Sequence, residues 1–301
     1  INKNMALNIF SPAKINLFLH IIGKRSDGYH DLQSVFRTLD FGDWLSFGLT
    51  DTKKPLITLT GAEGLTKELD QNLIVKAVTL LAKHFPNHAK PLIIDLQKHI
   101  PTGAGLGGGS SNCATTLIAL NQLWALDLSL QALIDFGQQL GADVPFFIFS
   151  HFHQQDAIVC GIGEILTPLK LPSARYLLLF PQAHLSTAQF FAHPDLQKNC
   201  LPIPNIGSRY DDYGNTMTDA FFNVFEPIAV MHSPAVALAL QYLKSRQVFT
   251  GTTARLTGTG STVFLPIPDN IDDAMLKHWQ AAAPCPTIMT QNLYEKLYNF
   301  Q

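Results

Sequence analysis

The sequence predicts an α+β protein built in two lobes, and three observations predict it. The chain has 301 residues, 47% of them hydrophobic and 15% charged. That is enough apolar material for about two domains. Strand and helix patterns follow one another in mixed order, not as a strict βαβ repeat. After Pro145 the composition changes, and residues 193–216 are rich in Pro, Asn, Gly and Asp. The division between lobes is expected near residue 170, giving segments 5–170 and 171–301.

Taken in order, Ile15–Ile21 is rich in β-formers and reads as a strand, and Asp27-Gly28 as a turn. Leu32–Leu39 and Trp44–Leu49 predict two further strands. Asn72 opens a helical pattern that puts Leu73, Val75, Ala77, Leu80, Leu81 and Phe85 largely on one face. Leu92–Leu96 is a short strand, and residues 110–124 form a helix. Ser129 caps the next helix, which runs to about Gln139 and stops at Gly141. Farther on, Tyr176–Phe180 is a buried strand and 193–216 a long surface loop. Ser233-Pro234 starts a helix to about Arg246, with Ser as N-cap and Pro in the first turn. Thr262–Leu265 is a strand, Asp269–Ala282 a helix and Thr287–Thr290 a last strand.

The formal charge is −2. No large basic surface follows, so nucleic acid is not an expected partner. The four cysteines, Cys113, Cys160, Cys200 and Cys285, are far apart and show no C-x-x-C or zinc spacing. They read as reduced thiols of a cytoplasmic protein. No apolar run approaches the roughly 18 residues of a membrane span, and no signal-peptide pattern is seen. The expectation is a cytoplasmic protein with no membrane partner. His151-Phe-His153 lacks a third ligand at good spacing, so these read as surface histidines and no metal-ligand set is assigned.

The densest chemical signal is Gly103–Ser111, with five glycines and two serines in nine residues ahead of a helical segment. Glycine lets the backbone approach a ligand closely. A helix N-terminus supplies unpaired N–H groups and a positive dipole end. Together they suit phosphate. Gly103 and Gly108 have Walker A spacing, but Gly109 stands where that motif needs Lys. Gly103, Gly105 and Gly108 match a dinucleotide fingerprint, with Asp127 downstream, yet His99, Ile100 and Pro101 detach the loop from the preceding strand. The remaining pattern is P-x-x-x-G-L-G-[GS]-[GS]-S-[SA], from Pro101 to Ser111.

That pattern resembles the phosphate loop of the GHMP kinase superfamily. Ser11–His20 (SPAKINLFLH), Gly23–His30 (GKRSDGYH), Leu32–Phe36, Leu39–Asp43, Asn72–Val75, Leu140–Phe146, Gly161–Leu166 and Leu256–Gly260 follow in order. These blocks are similar to its 4-diphosphocytidyl-2-C-methyl-D-erythritol kinases. The resemblance implies an N-terminal ribosomal-protein-S5-like α/β lobe that binds ATP and a C-terminal ferredoxin-like α+β lobe. It implies ATP-dependent phosphorylation of the 2-hydroxyl of that compound, in the non-mevalonate route to isoprenoids. ATP and Mg²⁺ are the implied cofactors, a cytidine diphosphate sugar alcohol the partner, and a monomer or weak homodimer the state. Other small-alcohol kinases, or a non-catalytic nucleotide-binding regulator, are the alternatives; Tyr29-His30, Lys14 and Asp143 weigh against them.

The same resemblance assigns roles. Asp143 is the general base or the group that orients the hydroxyl, and Lys14 sits beside it. The amides of Gly105–Ser111, within a loop of Pro101, Gly103, Ala104, Gly105, Leu106, Gly107, Gly108 and Gly109, cradle the phosphates. Ser110 or Ser111 offers a hydroxyl to Mg²⁺ or phosphate. Asn72, also a natural N-cap, bonds the adenine region, and Lys98 reaches adenine or phosphate. Tyr29 and His30 recognise cytosine, with Phe191 or Phe190 as the second stacking face. Asn16 approaches the erythritol end, and Gly258–Ser261 supports the site. Cys113 replaces the usual alanine. Val224 departs from the family pattern, so Asn223–Glu226 carries no assigned function.

Overall fold

The structure, a computed structural model, describes residues 7–51, 54–183, 185–215 and 220–294. Its contacts form two compact units. One holds the chain up to Ala13, Phe41–Thr102 and Gly107–Gln154; the other holds Lys14–Asp40, Gly103–Leu106 and the chain from Gln155 onward. This grouping differs from a cut at residue 170 because two long strands, β1 (Leu7–Lys24) and β2 (His30–Leu49), each run through both units.

Leu32–Leu39 and Trp44–Leu49 belong to the one strand β2. Gly42-Asp43 reads locally as a turn, but Gly42 is there for close approach. A Cβ on it would lie 2.4 Å from the Ser11 carbonyl oxygen and 2.6 Å from the Phe10 ring.

The first unit adds β3 (Ile57–Thr60), α1 (Leu73–His84), β4 (Leu92–Gln97), α2 (Gly108–Leu123), α3 (Leu130–Gln138) and α4 (Val144–His153). β4 pairs antiparallel with β2, from Trp44↔Gln97 to Leu49↔Leu92, and parallel with β3. α1, α3 and α4 pack around α2, burying Ala77, Leu81, Leu117, Leu120, Leu133 and Ile148. Full burial of each leucine or isoleucine side chain contributes on the order of 1.5–3 kcal/mol. The side chain of Asn72 caps α1 by accepting from the Ile74 N–H, and that of Ser129 caps α3 by accepting from the Ala132 N–H.

The second unit adds β5 (Asp156–Gly161), β6 (Ile165–Leu169), β7 (Arg175–Leu179), α5 (Thr187–Ala192), α6 (Glu226–His232), α7 (Pro234–Lys244), α8 (Gln247–Thr250), β8 (Arg255–Leu256), β9 (Val263–Ile267), α9 (Asp273–Ala282) and β10 (Thr287–Gln291). β5 pairs with β2 and with β6. A separate antiparallel sheet runs β10-β7-β9-β8, and Leu177, Leu179, Val263, Leu265, Leu240 and Trp279 belong to its core. Ser233 and Asp272 cap α7 and α9.

Of the stretch 193–216 expected as a surface loop, the described part, 193–215, is not free. The Gln33 side chain brackets Ile203, donating to its carbonyl at 3.0 Å and accepting from its N–H at 2.8 Å. Cys200 N–H donates to the Ile21 carbonyl, while Ile206 and Tyr213 are buried. No helix among the described residues is long and apolar enough to cross a membrane. All four cysteines are free thiols.

Candidate active site

In the first unit the site grows from the end of β4. The ladder with β2 closes at Gln97, leaving the His99 and Ile100 N–H groups beyond it. Asp43, fully buried, accepts both through Oδ1, at 2.7 and 2.8 Å. Its Oδ2 accepts from Lys98 Nζ at 2.6 Å. Burial pushes the Lys98 pKa below its ordinary value, and the Asp43 bond pushes back. Pro101 and Thr102 are exposed.

Gly107, in the left-handed region at φ 70, then opens α2 without a side-chain cap. The N–H groups of Gly108, Gly109 and Ser110 therefore face out of the first turn with no intrahelical acceptor. A Cβ on Gly108 would lie 3.0 Å from both Lys98 Nζ and Ile100 Cγ2. The Lys98 ammonium thus sits at the first residue of the helix whose dipole favours anions.

Ser110 and Ser111 separate clearly. Ser111 is fully buried, its N–H donates to the Gly107 carbonyl, and its hydroxyl is bonded to Ser11 Oγ at 2.8 Å. Ser11 in turn donates to Asn112 Oδ1 at 2.8 Å. The Ser111 hydroxyl accepts from Ser11 and its N–H is used inside α2, so the fold engages both of its polar groups. Ser110 is half-buried and keeps its hydroxyl near Gly141, whose added Cβ would lie 3.7 Å from it. Two residues on, Asp143 stands at the N-cap of α4, half-buried, and its carboxylate does not cap that helix. Asn72 spends its Oδ1 on the Ile74 N–H at 2.9 Å, so its amide N–H₂ is not used by the cap.

In the second unit lie Gly103–Leu106, with Gly103 and Gly105 at φ 69 and 77. Ala104 and Leu106 are buried anchors. Their carbonyls accept from Thr262 N–H at 3.1 Å and Lys14 N–H at 3.0 Å. Gly105 lies so close to the second glycine loop that a Cβ would come within 2.3 Å of the Thr257 carbonyl oxygen.

Lys14 is buried, with Nζ 4.5 Å from the centre of the Phe36 ring. It donates to Asn16 Oδ1 at 2.8 Å. The same oxygen accepts from Gly258 N–H at 2.8 Å and Thr257 Oγ1 at 3.2 Å, and Asn16 Nδ2 donates to Ser34. Asn16 is 1% exposed. Its amide is a junction that fixes Lys14 and the second glycine loop.

At the other end of this unit Tyr29 is 60% exposed on the turn between β1 and β2. His30 stacks on Phe191, with ring centroids 5.3 Å apart and planes at 28°. Burial, then Lys198 and Lys24, lower its pKa, which favours the neutral ring. Phe190 is buried and stacks instead on Phe225. Phe191 is therefore the available face.

The sequence assigned no role to Asp43, Phe36 or Asn223. Asn223 Nδ2 donates to the carbonyls of Leu256 and Gly258, both at 2.8 Å, so a segment with no assigned role holds the second glycine loop in shape. The available signal was a polar residue inside an apolar strand for Asp43. For Asn223 there was only its fit to the family pattern.

Comparison with known proteins identifies the family. Residues 72–151 match the family model described as GHMP kinases N terminal domain. A 4-diphosphocytidyl-2-C-methyl-D-erythritol kinase of Psychrobacter arcticus is 46% identical over 314 aligned positions, covering 94% of this chain and 96% of the relative. The protein of that name from Acinetobacter baumannii is 40% identical, covering 96% of each chain. Among solved structures, a 4-(cytidine 5'-diphospho)-2C-methyl-D-erythritol kinase superposes with a TM-score of 0.77 at 25% identity, over 95% of this chain and 100% of that one. The Methanococcus jannaschii mevalonate kinase shares the fold, with a TM-score of 0.68 at 15% identity over 97% and 100% of the two chains. On this similarity, and with a phosphate loop of that pattern at its centre, the chain belongs to the 4-diphosphocytidyl-2-C-methyl-D-erythritol kinase family of the GHMP kinases, ATP-using kinases of small molecules.

Proposed function

We propose that the chain transfers the γ-phosphoryl group of ATP to the 2-hydroxyl of 4-diphosphocytidyl-2-C-methyl-D-erythritol, in the cytoplasm, as a step of the non-mevalonate isoprenoid route. The observation that carries the substrate reading is the stacked pair His30–Phe191 next to exposed Tyr29. Two aromatic faces and a neutral ring nitrogen suit a pyrimidine, one stacking and the other reading its edge.

ATP fits the loop because the first-turn N–H groups of α2 are open and Gly108 leaves room that a Cβ would fill. Lys98 and the amides of Gly108–Ser110 hold the phosphates, and Asn72 bonds the base. Asp143, at the start of α4, accepts or orients the proton of the attacking hydroxyl. By the family resemblance Lys14 is the cation that stabilises the alkoxide as it forms. A Mg²⁺ ion would be carried mainly by ATP. The Ser110 hydroxyl would hold that ion, which neutralises phosphate charge. The active form is a monomer or weak homodimer, and the division of labour is an ATP-binding part over 5–170 and a second part over 171–301.

ADP release coupled to a detector tests this directly. Turnover is expected with the cytidine diphosphate alcohol, and none with mevalonate, homoserine or galactose. Activity on one of the latter alone would overturn the assignment.

A further inference from the structure

Lys98 has a partner that its place in the sequence does not announce. We propose that Asp43 is a positioning residue for the ATP end of the site: its carboxylate fixes the Lys98 ammonium over the first residue of α2 and ties down the junction from which the phosphate loop departs. This rests on the reading of Lys98 as an ATP contact.

The geometry makes Asp43 more than a buried pair. A carboxylate with no exposure is costly unless its lone pairs are used. Here three charge-assisted bonds use them, at 2.6, 2.7 and 2.8 Å. Two come from N–H groups that the β2–β4 ladder leaves unpaired just ahead of Pro101, which has no N–H to offer. One residue earlier, Gly42 is pressed against the Ser11 carbonyl, so the backbone carrying the carboxylate is itself fixed by β1.

A lysine at a strand end would otherwise sample many rotamers, and ordering it on ligand binding costs side-chain entropy. In this fold that ordering is complete before ATP arrives. The ammonium has three donors. Asp43 takes one, and two remain for the nucleotide. Because Asp43 offsets the charge, Lys98 serves as a directed donor more than as a bulk cation. Its desolvation, opposed by the Asp43 bond, fits that arrangement.

The test measures KM for ATP, KM for the acceptor alcohol, kcat and melting temperature in the wild type, Lys98→Met, Asp43→Asn and the double variant. Asp43→Asn keeps an oxygen for the His99 and Ile100 N–H groups and removes the charge that holds Lys98. Lys98→Met and Asp43→Asn are each expected to raise the ATP KM roughly tenfold, with the acceptor KM nearly unchanged. The double variant is expected to be no worse than Lys98→Met alone, because Asp43 acts through Lys98. Asp43→Glu, which keeps the charge but displaces it, should fold and give an intermediate ATP KM; it carries the test if Asp43→Asn does not fold. An unchanged ATP KM in Asp43→Asn or Asp43→Glu overturns the proposal while leaving the Lys98 reading intact. So do effects that multiply in the double variant and track melting temperature. No effect of Lys98→Met overturns both.

Discussion

In Gly103–Ser111 a glycine run leads into helix α2, and in Thr257–Ser261 a shorter run leads into strand β9; the two part company in where their backbone N–H groups go. In the second loop Thr257 N–H donates to the Thr262 carbonyl, Gly260 N–H to the Thr257 carbonyl and Gly258 N–H to Asn16 Oδ1. Its Gly258 carbonyl is taken by Asn223. In the first loop the half from Gly107 onward leaves the N–H groups of Gly108, Gly109 and Ser110 open at a helix start. Glycine density marks a place where backbone must come close to something. Accounting for each donor says whether that something is protein or ligand. By this measure the first loop is itself divided, since Gly105 is pressed on the second loop and Ser111 is turned into the fold.

The largest effect expected from this contrast lies beside the open half. Asp143→Ala should lower turnover by about 10²–10⁴ while ATP affinity changes little, measured by coupled ADP release and by calorimetry. Near-normal turnover would remove Asp143 from the chemistry and leave the open loop as a binding site only. The same distinction between open and spent groups applies at the cytosine end. Phe190→Ala, cut from a buried stack, should cost about 3–5 kcal/mol of stability. Phe191→Ala should leave the fold nearly intact and raise the acceptor KM about tenfold. An exchange of these two outcomes would reverse the assignment of the stacking face.

Asn223→Ala probes the spent loop. Two backbone carbonyls lose a buried donor, and Phe225 N–H loses its acceptor at 2.9 Å. A loss of about 2–3 kcal/mol is expected, seen as a fall in melting temperature of roughly 5–10 °C. The ATP KM should stay near the wild-type value where the variant is folded. A raised ATP KM with unchanged melting would show that the second loop touches the nucleotide after all.

What was legible in the sequence was local chemistry. The N-caps Asn72, Ser129 and Ser233 and the phosphate loop each announce themselves within a few residues. α4 did not, because Val144–Ser150 is buried all round, leaving no amphipathic period, and Pro145 reads as a break although it is well placed in a first turn. β5 and β6 are short, and β8 is only two residues; pairing partners distant in sequence make them strands. The network around Asn16 was illegible for a related reason. Whether an amide points to substrate or into the fold depends on Thr257 and Gly258, some 240 residues away.

The smallest predicted effect is the one that separates the loops most cleanly. Gly109 has ordinary helical backbone, and a Cβ there would meet only Leu73 Cδ1, at an unstrained 3.7 Å. For folding alone alanine should be the better residue, by about 0.5–1 kcal/mol. A glycine kept where the fold would prefer alanine points to a ligand that needs the room. The methyl would stand between the open amides and the start of α1, where Asn72, the proposed base contact, caps the helix. Gly109→Ala is therefore expected to melt slightly higher than wild type and to raise the ATP KM several-fold, about 1 kcal/mol of lost binding. A higher melting point with an unchanged ATP KM would mean that this glycine serves no nucleotide, and the open half of the loop would begin one residue later.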